Sequence, residues 1–84
     1  MLQDIQSNER ITIIAQLVAS MYSEFKTLNI DKKQTAYVIN VGITSFESMM
    51  RNGNCPKITR FGSEVGKIQF SLYDIAKFIV NNTS

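Results

Sequence analysis

The sequence predicts an α+β, mostly helical fold. It should have a long N-terminal helix, two short helices meeting across a tight turn, a β-hairpin and a closing helix. Three observations carry this reading. An apolar stripe at helical spacing runs from Ile11 to Leu28. The stretch QTAYVINVGITSFESMMRNGNCP, Gln34 to Pro56, breaks at Asn40 and stops at Gly53. After it, KITRFGSEVGKIQF alternates apolar residues around a glycine-bounded tip.

Residues 1–6 are expected to fray. From about Ser7 to Thr27, Ile11, Ile14, Val18, Met21, Phe25 and Leu28 recur at steps of three and four. Leu17 and Tyr22 widen that stripe. Such a helix is about 30 Å long, the width of a small domain. Thr12, Gln16, Ser20, Ser23 and Glu24 fill its other face, which lacks the basic residues of a membrane-surface helix. The stripe either completes the core of its own domain or pairs with a second copy, because part of the spacing fits coiled-coil a and d positions. The homodimer is the expectation adopted, with Ile11, Ile14, Val18, Met21 and Phe25 as the seam. Residues 1–30 thus form one unit and 31–84 the other.

Leu28 to Ile30 reads as a link. Asp31 with Gln34 forms a capping box that starts the second helix near Lys32, to end at Ile39. Asn is the non-glycine residue that best tolerates a left-handed turn, so Asn40 breaks the chain there. Val41 plugs the turn, and a third helix runs from Ile43 to about Asn52 with Phe46, Met49 and Met50 inward. Gly53 ends it, and Pro56 prevents it resuming. Ile58, Arg60 and Gly62, then Gly66, Ile68 and Phe70, suggest two short strands around a tip at Gly62 to Gly66. Ser71 caps a last helix through Asn81, with Leu72, Ile75, Phe78 and Ile79 inward.

Helix, turn, helix and hairpin in this order resemble the excisionase/AlpA-type, MerR-like winged helix-turn-helix family. Its usual text is close to E-x-A-x-x-L-G-V-S-x-x-T-hydrophobic, then G-x-x-P. Ala36 falls on the alanine, Ile39 on the leucine, Asn40 on the turn glycine and Val41 on the valine. Phe46 takes the buried helix position, and Gly53 with Pro56 the closing pair. Ser71, Asp74, Ile75 and Phe78 match a final S-x-x-D/E-I/L-x-x-W segment, with Phe for Trp. The chain departs at Asn40 and at Gly42, where Ser is usual; Gly is itself an acceptable cap. The resemblance covers roughly the last two-thirds of the chain. It implies a winged helix-turn-helix with an extra N-terminal amphipathic helix.

Charge distribution agrees with that implication. Residues 1–31 hold Arg10 and Lys26 against Asp4, Glu9, Glu24 and Asp31, a net −2. Residues 32–67 hold Lys32, Lys33, Arg51, Lys57, Arg60 and Lys67 against Glu47 and Glu64, a net +4. Positive potential is thus expected on the segment that would read DNA. On the third helix Ile43, Thr44, Glu47, Ser48 and Arg51 should face out. Arg suits guanine or phosphate, Ser and Thr bond either, and Glu accepts from cytosine. Lys32, Lys33, Lys57, Arg60 and Lys67 would hold backbone from the wing and its flanks.

Catalysis finds no footing. The chain has no histidine, no motif pairs two carboxylates, and no glycine loop precedes a helix to cradle phosphate. Cys55 is the one cysteine, so neither a disulfide nor a zinc ligand set is available, and it reads as a structural thiol. No cofactor is expected. The start MLQDIQSNER has no basic n-region, and no apolar run reaches the roughly 20 residues of a membrane span, so a cytoplasmic protein is expected.

The expected function is sequence-specific binding of double-stranded DNA, as a transcription regulator of a mobile element or prophage. The resemblance also allows an excisionase-like factor that bends DNA beside a recombinase; a regulator would work beside RNA polymerase. A protein-interaction module that ignores DNA is the alternative from another class.

Overall fold

The computed structural model describes residues 2–59 and 68–82, with side chains from residue 8 onward. In order, the elements are α1 (Leu2–Phe25), β1 (Asn29–Asp31), α2 (Lys32–Val38), α3 (Ile43–Arg51), β2 (Gln69–Ser71) and α4 (Leu72–Asn82). The class is α+β and mostly helical, as expected.

α1 begins at Leu2 and not near Ser7. The apolar stripe starts only at Ile11, but no glycine or proline lies before Ser7 to stop the helix extending backwards. The far end closes at Lys26, whose φ of 59° is left-handed and whose N–H donates to the Tyr22 carbonyl at 2.8 Å. For a lysine that backbone costs about 1 kcal/mol, which the rest of the fold must offset.

The segment read as a link is a strand. β1 pairs antiparallel with β2 in the register Asn29 to Ser71, Ile30 to Phe70 and Asp31 to Gln69. The Leu72 N–H extends the pairing by donating to the Leu28 carbonyl at 2.9 Å. On the other edge of β2, Thr59 and Gln69 exchange backbone bonds of 2.7 and 3.1 Å. Thr59 and Gln69 thus form an isolated antiparallel bridge, and residues 60–67 of the hairpin expected from sequence, its tip at Gly62 to Gly66 among them, lie outside the described residues.

The core gathers one face from every element. Phe46 of α3 and Phe70 of β2 are completely buried, with ring centroids 5.6 Å apart and planes at 70°. That edge-to-face contact adds about 0.5–1.5 kcal/mol to their burial. Ile30, Ala36, Leu72 and Ile75 complete the centre. From α4 the deeper residues are Leu72, Ile75, Ala76 and Val80, while Phe78 and Ile79 are only half-buried. The buried face of α4 thus runs through Ala76 and Val80 and only grazes Phe78 and Ile79. Arg10 of α1 also donates a hydrogen bond to Asn81 of α4.

α1 divides its stripe. Met21 is buried, and Ile14, Leu17, Val18 and Phe25 are half-buried against the same core. Ile11 stays 64% exposed. Met21 is thereby corrected from seam to core, because the domain's own side chains already cover it. No helix among the described residues is long and apolar enough to cross a membrane.

Candidate nucleic-acid interface

Four caps fix the geometry of α2 and α3. At the start of α2, Asp31 Oδ1 accepts from the Gln34 N–H at 2.7 Å. In return Gln34 Oε1 accepts from the Asp31 N–H at 3.0 Å, the reciprocal box expected from D-x-x-Q. Thr35, wholly buried, donates its hydroxyl to the Asp31 carbonyl at 2.7 Å and so leaves no orphaned polar group.

The turn is closed by Asn40 at φ 63°. The Asn40 N–H donates to the Tyr37 carbonyl at 3.1 Å and the Val41 N–H to that of Ala36 at 3.0 Å. These two bonds make a Schellman closure with Asn in the position glycine usually holds. Val41 then sits half-buried against the core. Gly42 caps α3 with extended backbone but no side-chain bond. At the other end Gly53, φ 75°, repeats the closure: its N–H donates to Met50 at 3.1 Å and that of Asn54 to Met49 at 2.9 Å. Pro56 follows, buried.

With both ends fixed, the amphipathicity of α3 decides which side chains face water. Phe46 is buried and Met49 and Met50 pack partly beneath it. Opposite them Thr44 and Arg51 are exposed, Ser48 is half-exposed, and Ile43 keeps 37% of its surface. Thr44, Ser48 and Arg51, spaced four and three residues apart, share one face. Ser45, also exposed, was missed by the sequence reading because serine carries no periodicity signal.

The flanking charges are not all free. Lys32 Nζ lies 2.7 Å from Glu47 Oε2, tying the first turn of α2 to the middle of α3. The Lys32 hydrogen bond and then its charge hold the Glu47 carboxyl below the usual carboxylate range, with Arg51 adding a smaller pull. Lys33 and Lys57 are exposed, while Arg60 and Lys67 lie outside the described residues. Ile11, Ile14, Val18 and Phe25 belong to α1 and take no part in this face. Cys55 is half-buried, and burial pushes its thiol up, which favours the uncharged form. Among the described residues no group of three His, Cys, Asp or Glu side chains is placed to hold a metal. What this face offers chemically is hydroxyls, a guanidinium, a methyl-bearing edge and nearby ammonium groups.

No protein-family model, curated protein or solved structure matches this chain.

Proposed function

We propose that the chain is a small sequence-specific DNA-binding protein of winged helix-turn-helix type, regulating transcription of a mobile element or prophage. The observation that carries this reading is the pair of Schellman closures bracketing α3. They bracket a nine-residue helix with Phe46 fully inside, Thr44 and Arg51 exposed and Ser48 half-exposed, the arrangement a recognition helix needs to present side chains to a major groove. α3 supplies base contacts through hydroxyls and guanidinium, and Lys33 and Lys57 supply phosphate contacts. The segment between Thr59 and Gln69 acts as the wing in this reading, with Arg60 and Lys67 as its phosphate ligands.

The test is binding of genomic fragments at several salt concentrations, with sequencing of what stays bound. A regulator retains fragments overlapping promoters and loses affinity as salt rises. Repeated sites beside a recombination site would instead make it an excisionase-like bending factor. Equal retention of all fragments, or none, would remove the DNA-reading proposal.

A further inference from the structure

Away from α3, an apolar groove of about 610 Å3 lies between α1 and α4 with no partner among the described residues. Its α1 side is built from Ile11, Ile14, Ala15, Val18, Ala19 and Tyr22, and Leu28 and Tyr73 form the opposite rim. Among the described residues no charged side chain lines it. We propose that this groove is the seam of a homodimer in which α1 of a second copy lies antiparallel.

Spacing argues for self-pairing. The six α1 residues follow one another at steps of three and one, so they form a single stripe, rotated from Met21 and Phe25. About a twofold axis between Gln16 and Leu17, Ile11 meets Tyr22 of the other copy, Ile14 meets Ala19 and Val18 meets Ala15. Each large aliphatic residue near the axis then faces an alanine, so the backbones approach closely without a void. A parallel pair would set alanine on alanine and valine on valine, leaving holes at two levels and crowding at the others.

Area argues that this is enough. Ile11 is 64%, Tyr22 46%, Leu28 63% and Tyr73 56% exposed. Taking about 200 Å2 for an aromatic and about 110 Å2 for an aliphatic side chain, these four leave about 350 Å2 of apolar surface per copy. A standard interface buries about 800 Å2 per partner, a little over half of it apolar. The four residues thus supply most of the apolar share, and Ala15, Ala19 and the half-buried Ile14 and Val18 supply the remainder. Lys77 brings a charge beside the groove, its Nζ 5.3 Å from the centre of the Tyr73 ring at the rim, but the floor itself favours an apolar partner. The inference does not depend on what α3 reads. It also replaces Met21 and Phe25 of the expected seam with Ala15, Ala19 and Tyr22.

Sedimentation equilibrium of the full chain without DNA, over about 1–100 μM where moderate interfaces dissociate, is the first measurement. A reversible dimer is expected. Ala19 is exposed in the single copy, so Ala19→Glu keeps the fold and should raise the dissociation constant at least about a hundredfold by burying an unpaired charge. An unchanged far-ultraviolet circular dichroism spectrum checks the fold. Orientation is read in a Cys55→Ser background by mixing Ile11→Cys with Tyr22→Cys under mild oxidation. Antiparallel pairing gives the mixed disulfide, because the two copies of residue 11 then lie eleven residues apart, about 16 Å along the axis and beyond disulfide reach. A monomeric wild type, or an Ala19→Glu protein that dimerises like wild type, would overturn the seam and leave the groove to another partner. Self-linked Ile11→Cys as the main product would overturn the antiparallel register. None of these outcomes bears on DNA binding, which fails or stands separately.

Discussion

Lys32 and Glu47, fifteen residues apart in sequence, meet at 2.7 Å and join α2 to α3 across the turn. Both side chains stay partly in water, 37% and 42% exposed, so the pair orients the helices more than it stabilises them. Its larger consequence is electrostatic. Each charge cancels the other on the face proposed to approach DNA, which lowers the attraction Lys32 would otherwise exert.

Glu47→Gln should therefore strengthen binding to every duplex and steepen the salt dependence by about one phosphate contact. Fluorescence anisotropy against a salt series measures both. If affinity for a selected site falls while random duplex is unchanged, Glu47 is reading a base and the pair is not its main role. The same substitution bears on acid stability. A carboxyl held low in the fold contributes stability above its unfolded pKa and loses it as pH falls through the lower folded value. Glu47→Gln should lower stability slightly near neutrality, where the contribution is present, converge with wild type in acid, and so flatten the acid limb of stability against pH.

The turn makes a second prediction. Asn40 is left-handed at φ 63°, where glycine is free of strain and a β-branched residue is not. Asn40→Gly should leave stability within about 0.5 kcal/mol of wild type, while Asn40→Val should cost about 1–2 kcal/mol. Urea denaturation distinguishes them. Equal effects would mean that the turn relaxes and does not fix the angle between α2 and α3.

Gly42 invites a stabilising change. A Cβ there would meet nothing within 4 Å, the backbone is already extended, and the cap has no side-chain bond. Gly42→Ser should gain about 0.5 kcal/mol, from the added cap and from a less flexible unfolded chain. A loss on urea denaturation would show that the serine hydroxyl cannot reach the first turn of α3.

These predictions rest on features with uneven visibility in the sequence. Local chemistry was legible: Asp31 with Gln34, Asn40, Gly53 and Pro56 each declare a boundary within four residues, and each boundary appears where expected. Non-local pairing was not. Asn29–Asp31 has one apolar residue in three, and its strand character comes from β2, some forty residues further along. Lys32 looked like a free phosphate ligand because its partner sits on the next helix. The division of α1 between core and groove was likewise hidden, because Met21 and Tyr22 are adjacent and both fit the stripe, and the packing of the other elements decides which is covered. On α4, Ala76 carries too weak a hydrophobic signal to mark the buried face to which it belongs.

The last prediction separates recognition from attraction. Thr44, Ser48 and Arg51 stand on the outward face of a helix whose opposite face is anchored by fully buried Phe46. Their exposure therefore follows from packing that single alanine substitutions leave intact. Losing a hydroxyl that reads a base edge costs about 1–3 kcal/mol on the selected site and far less on random duplex. Thr44→Ala and Ser48→Ala should therefore narrow the ratio between the two. Arg51 lies in the last turn of α3, where its charge also favours the helix dipole, and from that end it is better placed for phosphate. Arg51→Ala should weaken both duplexes and reduce the salt slope by about one, as should Lys33→Ala and Lys57→Ala. Paired affinities for one selected and one scrambled duplex at fixed salt, on variants with unchanged melting, decide the matter. Unchanged ratios for both Thr44 and Ser48 would remove this face as the reader. Thr44 and Ser48 would then be left to a protein partner, while any salt slope would report only the phosphate contacts of Arg51, Lys33 and Lys57.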